Sequence, residues 1–297
     1  MTNLEFTIDV TYACRLKCQF CSTGANPSVM EMPHYVAQAC RDFMRALKAR
    51  SPQVMRVVLS GGEPLLHDGL GDLLSLWRFE ADSITLCTSG STATKPEYWT
   101  ELSSCGLTNV RLSLHTVSEN ACASLWGPEY SLRTVRRNIQ AMNQAGLAID
   151  VNYLLTSQTM PHLADVFHFA AESNARKVRV LGLARQGRAS ANWGALKVSE
   201  GTEDVVMAEA KKLSQSYNMT VEFAGLSSAT LCVHSDGNGD CLGGRSFFHI
   251  TTDGGVYPCP GVKSIPCRKI TSVLDPECIA ASMNYSAGVL ECVVSSH

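Results

Sequence analysis

The stretch "CRLKCQFC", residues 14–21, sets three thiols at Cys14, Cys18 and Cys21, with an aromatic, Phe20, just before the last. Zinc prefers four closed ligands, often as two C-x2-C pairs. An iron-sulfur cube held by three thiolates keeps one iron free to bind something else. Three thiols at this spacing therefore point to a reactive cluster. A second stretch, "VVLSGGEPLL" (57–66), places Gly61 and Gly62 ahead of Glu63 and Pro64. Glycines let the backbone approach a ligand closely, and a carboxylate can accept from an ammonium group. Taken alone, Gly-Gly-Glu-Pro is only a turn.

The chain has 13 cysteines among 297 residues. Cys232, Cys241, Cys259, Cys267, Cys278 and Cys292 crowd the C-terminal end, while Cys40, Cys87, Cys105 and Cys122 are scattered and read as small buried hydrophobes. The N-terminus, "MTNLEFTIDV", lacks the basic stretch and apolar core of an export signal, and no run approaches the roughly 18 apolar residues of a membrane span. The expected location is the cytoplasm, where metal binding or redox chemistry accounts for cysteines better than disulfides do. With 45% hydrophobic and 18% charged residues the chain can bury a large core, and its net charge of -2, with signs intermixed, offers no footprint for nucleic acid or a membrane surface.

The elements that must position the thiols follow from periodicity. Apolar, β-rich stretches near 4–10, 54–60, 82–88, 108–114, 147–155 and 177–183 alternate with helical patterns near 33–49, 68–79, 95–105, 131–145, 162–173 and 201–217. Such alternation predicts an α/β fold, a partial (β/α)6 TIM-like barrel, with the site at the C-terminal ends of its parallel strands. The loop after the first strand carries the cysteines, and the Gly-Gly-Glu-Pro stretch follows the second. After residue 224 the alternation stops in a Gly-, Ser- and Cys-rich stretch. Two domains are expected, a core over 1–223 and a small Cys-rich one over 224–297.

With these parts in place, the sequence resembles the radical S-adenosylmethionine (radical SAM) superfamily, whose C-x3-C-x2-C signature is matched by Cys14, Cys18, Phe20 and Cys21. The resemblance implies a [4Fe-4S] cluster on the three cysteines, S-adenosylmethionine (SAM) on its open iron, and a 5′-deoxyadenosyl radical that abstracts hydrogen from an unactivated C–H bond. It implies that Gly61, Gly62, Glu63 and Pro64 receive the methionyl amino group. "TLCTSGS" (85–91) and "VRLSLHT" (110–116) look like the third- and fourth-strand ends that flank SAM in relatives, which brings in Ser89 and Ser113. His115 stands where many relatives carry an acidic residue. "LARQGRA" (183–189) resembles a segment lining substrate or SAM, where Arg185 or Arg188 could pair a carboxylate or phosphate.

The C-terminal cysteines resemble the opening of SPASM and twitch auxiliary-cluster domains: twelve residues lead from Cys241 to Gly254 and four more to Cys259. Asp253, Gly254 and Gly255 are hairpin-turn residues between "FFHIT" and "VYPC". The downstream C-x2-C pair of that family is missing; Cys267, Cys278 and Cys292 are the available substitutes, of which Cys267 and Cys292 are taken as ligands, so one auxiliary iron-sulfur cluster is expected. The resemblance implies a peptide or amino-acid-derived substrate, with a sugar or nucleoside metabolite as the alternative. It also implies a flavodoxin- or ferredoxin-like reductant and, for a peptide substrate, either a separate recognition protein or direct reading of the substrate. A non-catalytic zinc-binding protein is the reading from a different class.

Overall fold

The computed structural model describes residues 3–26, 30–50, 54–226, 243–263 and 266–284. Its first half runs β1 (Asn3–Thr11), α1 (His34–Arg50), β2 (Val54–Gly61), α2 (Leu70–Trp77), β3 (Ser83–Thr88), α3 (Pro96–Ser104), β4 (Asn109–Ser113), α4 (Glu119–Trp126) and α5 (Leu132–Gln144). There follow β5 (Ala148–Leu154), α6 (Leu163–Glu172), β6 (Lys177–Leu181), α7 (Gly187–Ala191), α8 (Trp193–Leu196), α9 (Thr202–Ser216) and β7 (Thr220–Ala224). The C-terminal part adds β8 (Phe247–Ile250), β9 (Gly255–Tyr257), β10 (Thr271–Ser272) and α10 (Cys278–Asn284).

Strands β1 to β7 pair in parallel and in sequence order. Parallel strands need crossovers, and the helices that supply them cover the outer face, so β2, β3 and β5 carry near-continuous buried runs. In α1, Val36, Ala37, Cys40, Phe43 and Met44 recur at helical spacing and are buried. Phe43 meets Phe6 of β1 edge-on at 5.9 Å, and Phe6 stacks on Phe248 of β8 at 5.7 Å. Burying each such ring stabilises by roughly 1.5–3 kcal/mol, and Phe43→Ala would cost about 3–5 kcal/mol. Helix α5 begins on Ser131, whose hydroxyl accepts from the Thr134 amide, an N-cap worth about 1 kcal/mol.

The six expected β/α units are present. Two features depart from the sequence reading. A further parallel strand, β7, lies beyond β6, and β8 adds in parallel to the free edge of β1, giving a ten-stranded sheet. The expected hairpin forms, with β8 and β9 antiparallel and His249 opposite Tyr257, but through β8 it is a continuation of the main sheet. A buried ion cluster fastens this join: Asp9 of β1 accepts from His249 Nε2 at 3.1 Å and from Lys263 Nζ at 2.6 Å. Although burial pushes its carboxyl up, His249 and Lys263 together hold Asp9 well below the usual carboxylate range. Among the described residues no helix is long and apolar enough to cross a membrane.

Candidate active site

At the C-terminal ends of the strands lies a cavity of about 310 Å³, lined by Cys14, Cys18, Phe20, Cys21, Gly61, Gly62, Glu63, Ser89 and Ser113, and also by Cys87, His115, Trp126, Asn152 and Arg188. Eleven residues singled out by the sequence, His115 and Arg188 among them, thus share one space. The backbone that brings them together is tight. Gly61 has φ of +115°, and a Cβ on it would lie 2.2 Å from the Thr11 carbonyl; one on Gly62 would lie 2.2 Å from the Ala13 carbonyl. Only glycine lets the end of β2 pass this close to the chain entering the cysteine loop.

The loop itself is held from two sides. From α4, the carbonyls of Trp126 and Leu125 accept from Lys17 and Gln19 amides at 2.9 and 3.0 Å. From the segment after β6, the Arg188 amide donates to the Cys21 carbonyl at 2.9 Å, and Asn192 Nδ2 donates to the Gln19 carbonyl at 3.1 Å. Burial pushes the Cys14 thiol up to about 11, and Cys18 is pushed up further by burial and by its neighbours Cys21 and Cys14. At neutral pH both thiols of the metal-free protein therefore keep their protons, and a metal centre must displace them on binding. Among the described residues no three His, Cys, Asp or Glu side chains are grouped to hold a single metal ion.

Glu63 is 4% exposed. Its Oε1 accepts from Thr88 Oγ1 at 2.7 Å and from the Leu65 amide at 3.4 Å, and its Oε2 accepts from the Ser89 amide at 3.0 Å and Ser89 Oγ at 2.6 Å. Burial pushes its carboxyl above the usual range, and these donors pull it only part of the way back. Four donors meet the roughly four lone-pair sites of a carboxylate. Glu63 consequently ties the end of β3 to the end of β2 in addition to facing the cavity.

The opposite wall is aromatic. Phe20 meets His115 edge-on at 4.8 Å and Trp126 at 5.6 Å, His115 stacks on Trp126 at 4.9 Å, and Trp126 stacks on Tyr130 at 4.5 Å. Burial lowers the His115 pKa to about 4, so the ring is neutral at neutral pH. Its Nδ1 accepts from the Leu154 amide at 3.2 Å, which places the proton on Nε2.

Two expected residues lie off the cavity wall. Pro64 is buried at the start of a one-turn helix, Pro64–Leu66. Arg185 is exposed, its guanidinium 5.7 Å from the Trp193 ring centroid. Arg188, three residues on, reaches the cavity instead. In the C-terminal part, Cys259 is half-buried and its Sγ accepts from the Gly261 amide at 3.3 Å, while Cys267 is exposed on a turn. Cys241 and Cys292 lie outside the described residues. Cys87, read from the sequence as a small buried hydrophobe, is half-buried and lines the cavity from β3 instead. Trp126, Asn152 and Asn192 gave no sequence signal: each reaches the site by long-range packing, which spacing does not encode.

A loop of thiols and a glycine-tight turn at the C-terminal ends of a parallel, partly closed sheet define a cofactor-dependent α/β enzyme. The description "Radical SAM superfamily" matches residues 8–170, more than half of the chain, and the protein belongs to that superfamily. It is accordingly an enzyme whose cofactors are a [4Fe-4S] cluster and SAM. The chain is similar to the PqqA peptide cyclase of Gluconobacter oxydans, 25% identical over 281 residues that cover 92% of this chain and 74% of that one. The PqqA peptide cyclase of Bradyrhizobium diazoefficiens is 25% identical over 286 residues, covering 93% and 72%. Among solved structures, Streptococcus suis SuiB bound to precursor peptide SuiA superposes with a TM-score of 0.71 at 17% identity, over 99% of this chain and 70% of that one. Native anSMEcpe with bound AdoMet and Cp18Cys peptide gives 0.71 at 16% identity, over 95% and 80%. These likenesses show the fold, a partial TIM barrel.

Proposed function

We propose that the protein modifies a peptide or amino-acid-derived substrate by radical SAM chemistry, with the cluster on Cys14, Cys18 and Cys21 and SAM against Gly61, Gly62, Glu63, Ser89 and Ser113. The observation that carries this reading is the convergence of the three thiols and the Glu63 turn on one cavity at the strand ends. The residues fit the cofactors in kind. The thiols supply three ligands, Cβ-free backbone leaves a cradle at 61–62, and Asn152 Oδ1, a buried acceptor on the cavity wall, has no hydrogen-bond partner among the described residues. When bound, the cluster and SAM supply reductive cleavage of SAM and removal of a hydrogen atom from an unactivated C–H bond. The chain positions and shields: Glu63 fixes the β3 end, and the packed Phe20, His115 and Trp126 keep water from one side of the cavity without adding charge.

A peptide substrate is supported by the relatives, which are peptide cyclases by name or were solved with a precursor peptide. We further assign residues 1–223 to the radical core and 224–297 to an auxiliary-cluster domain of the SPASM or twitch kind, with Cys241, Cys259, Cys267 and Cys292 as ligands. In support, the β8–β9 hairpin delivers Cys259 at its end. A flavodoxin- or ferredoxin-like reductant and a separate peptide-recognition protein complete the system. The decisive experiment incubates the reconstituted enzyme with SAM, dithionite and a library of synthetic peptides, with sugars and nucleosides in parallel. The mass of an accepted peptide should change and 5′-deoxyadenosine output should rise. Stimulation by a sugar or nucleoside alone would overturn the peptide reading.

A further inference from the structure

The segment after β6 lies unusually close to the cysteine loop. Gly187 has φ of +54°, and a Cβ on it would lie 2.5 Å from the Cys21 carbonyl oxygen and 2.7 Å from that of Ser22. The glycine lets α7 begin against the loop, which puts the next side chain into it. Arg188 donates from Nε to the Cys18 carbonyl at 2.9 Å and from Nη1 to the Ala25 carbonyl at 2.6 Å. Two of its three guanidinium nitrogens thus grip the main chain on either side of Cys21. The third, Nη2, is buried and has no hydrogen-bond partner among the described residues. Among the residues lining the cavity Arg188 is the one permanent cation, since His115 is neutral at neutral pH.

A buried guanidinium N–H is costly to leave without an acceptor. The described residues supply none, and the cavity that Arg188 lines places the acceptor in what fills it. A [4Fe-4S] core on three thiolates carries net negative charge and gains one more on accepting an electron. In a water-poor cavity a nearby fixed cation favours that gain. We infer that Arg188 is a positioning residue for the first cluster, gripping the cysteine loop through two carbonyls and offsetting, through Nη2, the charge that reduction adds. This rests on the cluster being held by Cys14, Cys18 and Cys21.

The test is an anaerobic redox titration, without SAM, of reconstituted wild type, Arg188→Gln and Arg188→Lys, read from the electron paramagnetic resonance signal of the reduced cluster. Iron and sulfide are counted on each protein, and a thermal melt checks folding. At the wild-type midpoint, Arg188→Gln should show a reduced-to-oxidised ratio about tenfold lower, a midpoint 59 mV lower for a one-electron couple. Arg188→Lys, which keeps the charge but loses the fork, should stay within about threefold of wild type. The signal counts assembled clusters only, so partial loading does not distort the midpoint. If Arg188→Gln assembles no cluster, the lysine variant decides: a wild-type midpoint supports the inference and a tenfold shift overturns it. An unshifted glutamine variant overturns it as well and would reassign Nη2 to SAM or substrate. Loss of the underlying reading looks different, because the wild-type cluster would then survive replacement of all three cysteines by Ala.

Discussion

The two cysteine-rich regions of the chain are built in opposite ways. In the first, Cys14, Cys18 and Cys21 lie on one short loop, all three face one cavity, and the loop is bonded to α4 on one side and to the α7 segment on the other. In the second, Cys259 is half-buried at the end of a hairpin, Cys267 is exposed, and Cys278 is buried on α10 beside Cys40 of α1. A compact motif fixes its own ligand spacing, so the fold needs only to brace it. A dispersed one depends on several segments arriving together. The first should thus tolerate changes elsewhere in the chain, and the second should be sensitive to them.

The largest expected effect tests the compact region. Replacing Cys14, Cys18 and Cys21 together by Ala should remove about four irons per chain and abolish 5′-deoxyadenosine formation under dithionite, as measured by iron assay and chromatography. Wild-type output from this variant would end the catalytic assignment. Next comes the dispersed region. Cys259→Ala should lower iron by one cluster and stop modification of the peptide while 5′-deoxyadenosine still forms, and a folded variant with undiminished iron would remove the auxiliary cluster from consideration.

A smaller effect is expected at Glu63, where the compact site is braced. Glu63→Gln replaces an acceptor-only group that meets four donors, so Ser89 loses a charge-assisted bond and SAM affinity should fall about ten- to a hundredfold with iron unchanged. Titration of SAM by calorimetry on the reconstituted protein reads this directly. Equal affinity would mean that the β3 end does not touch SAM.

The smallest effect on chemistry, and a direct probe of how the two regions are joined, lies at Asp9. Its carboxyl is held below the usual range in the folded protein. The stability it contributes is therefore present above the ordinary carboxylate pKa of about 3.9 and is lost as pH falls below it toward the depressed folded value. Thermal melts of the wild type should drop on acidification below about pH 4. In Asp9→Asn the melt should be lower at neutral pH and less steep on the acid side, since Lys263 is left near an uncharged partner. Parallel acid limbs in the two proteins would mean that Asp9 is not the titrating group.

The local half of this molecule was readable. The six β/α units fall within a residue or two of their periodic stretches, because β2, β3 and β5 carry near-continuous buried runs while β1 and β4 alternate, and both patterns mark strands. Short or non-local features were not. Helices α7 and α8 are too short to show a period, α4 escaped notice although it is as long as α2, and β7 was hidden by the Gly- and Ser-rich stretch that follows it. The pairing of β8 with β1 is invisible to any local pattern. In the site, the thiols and the Gly-Gly-Glu turn were legible as motifs. The choice of Arg188 over Arg185 was not, since it turns on a glycine at positive φ that starts α7 against the loop and sends Arg185 outward to Trp193.

The placement of β1 has a consequence for how the protein is made. Its inner neighbour, β2, is available once residue 61 has been synthesised, but its outer neighbour, β8, ends at Ile250. A nascent chain shorter than this presents β1 as an edge strand, with open backbone groups along the strand that leads straight to Cys14. Contacts of such long sequence separation form late. The ribosome-bound protein consequently passes most of its synthesis with the root of its cysteine loop unsealed and prone to pair with other chains. Lower expression density, or an iron-sulfur supply matched to chain completion rather than to chain initiation, should raise the yield of loaded enzyme.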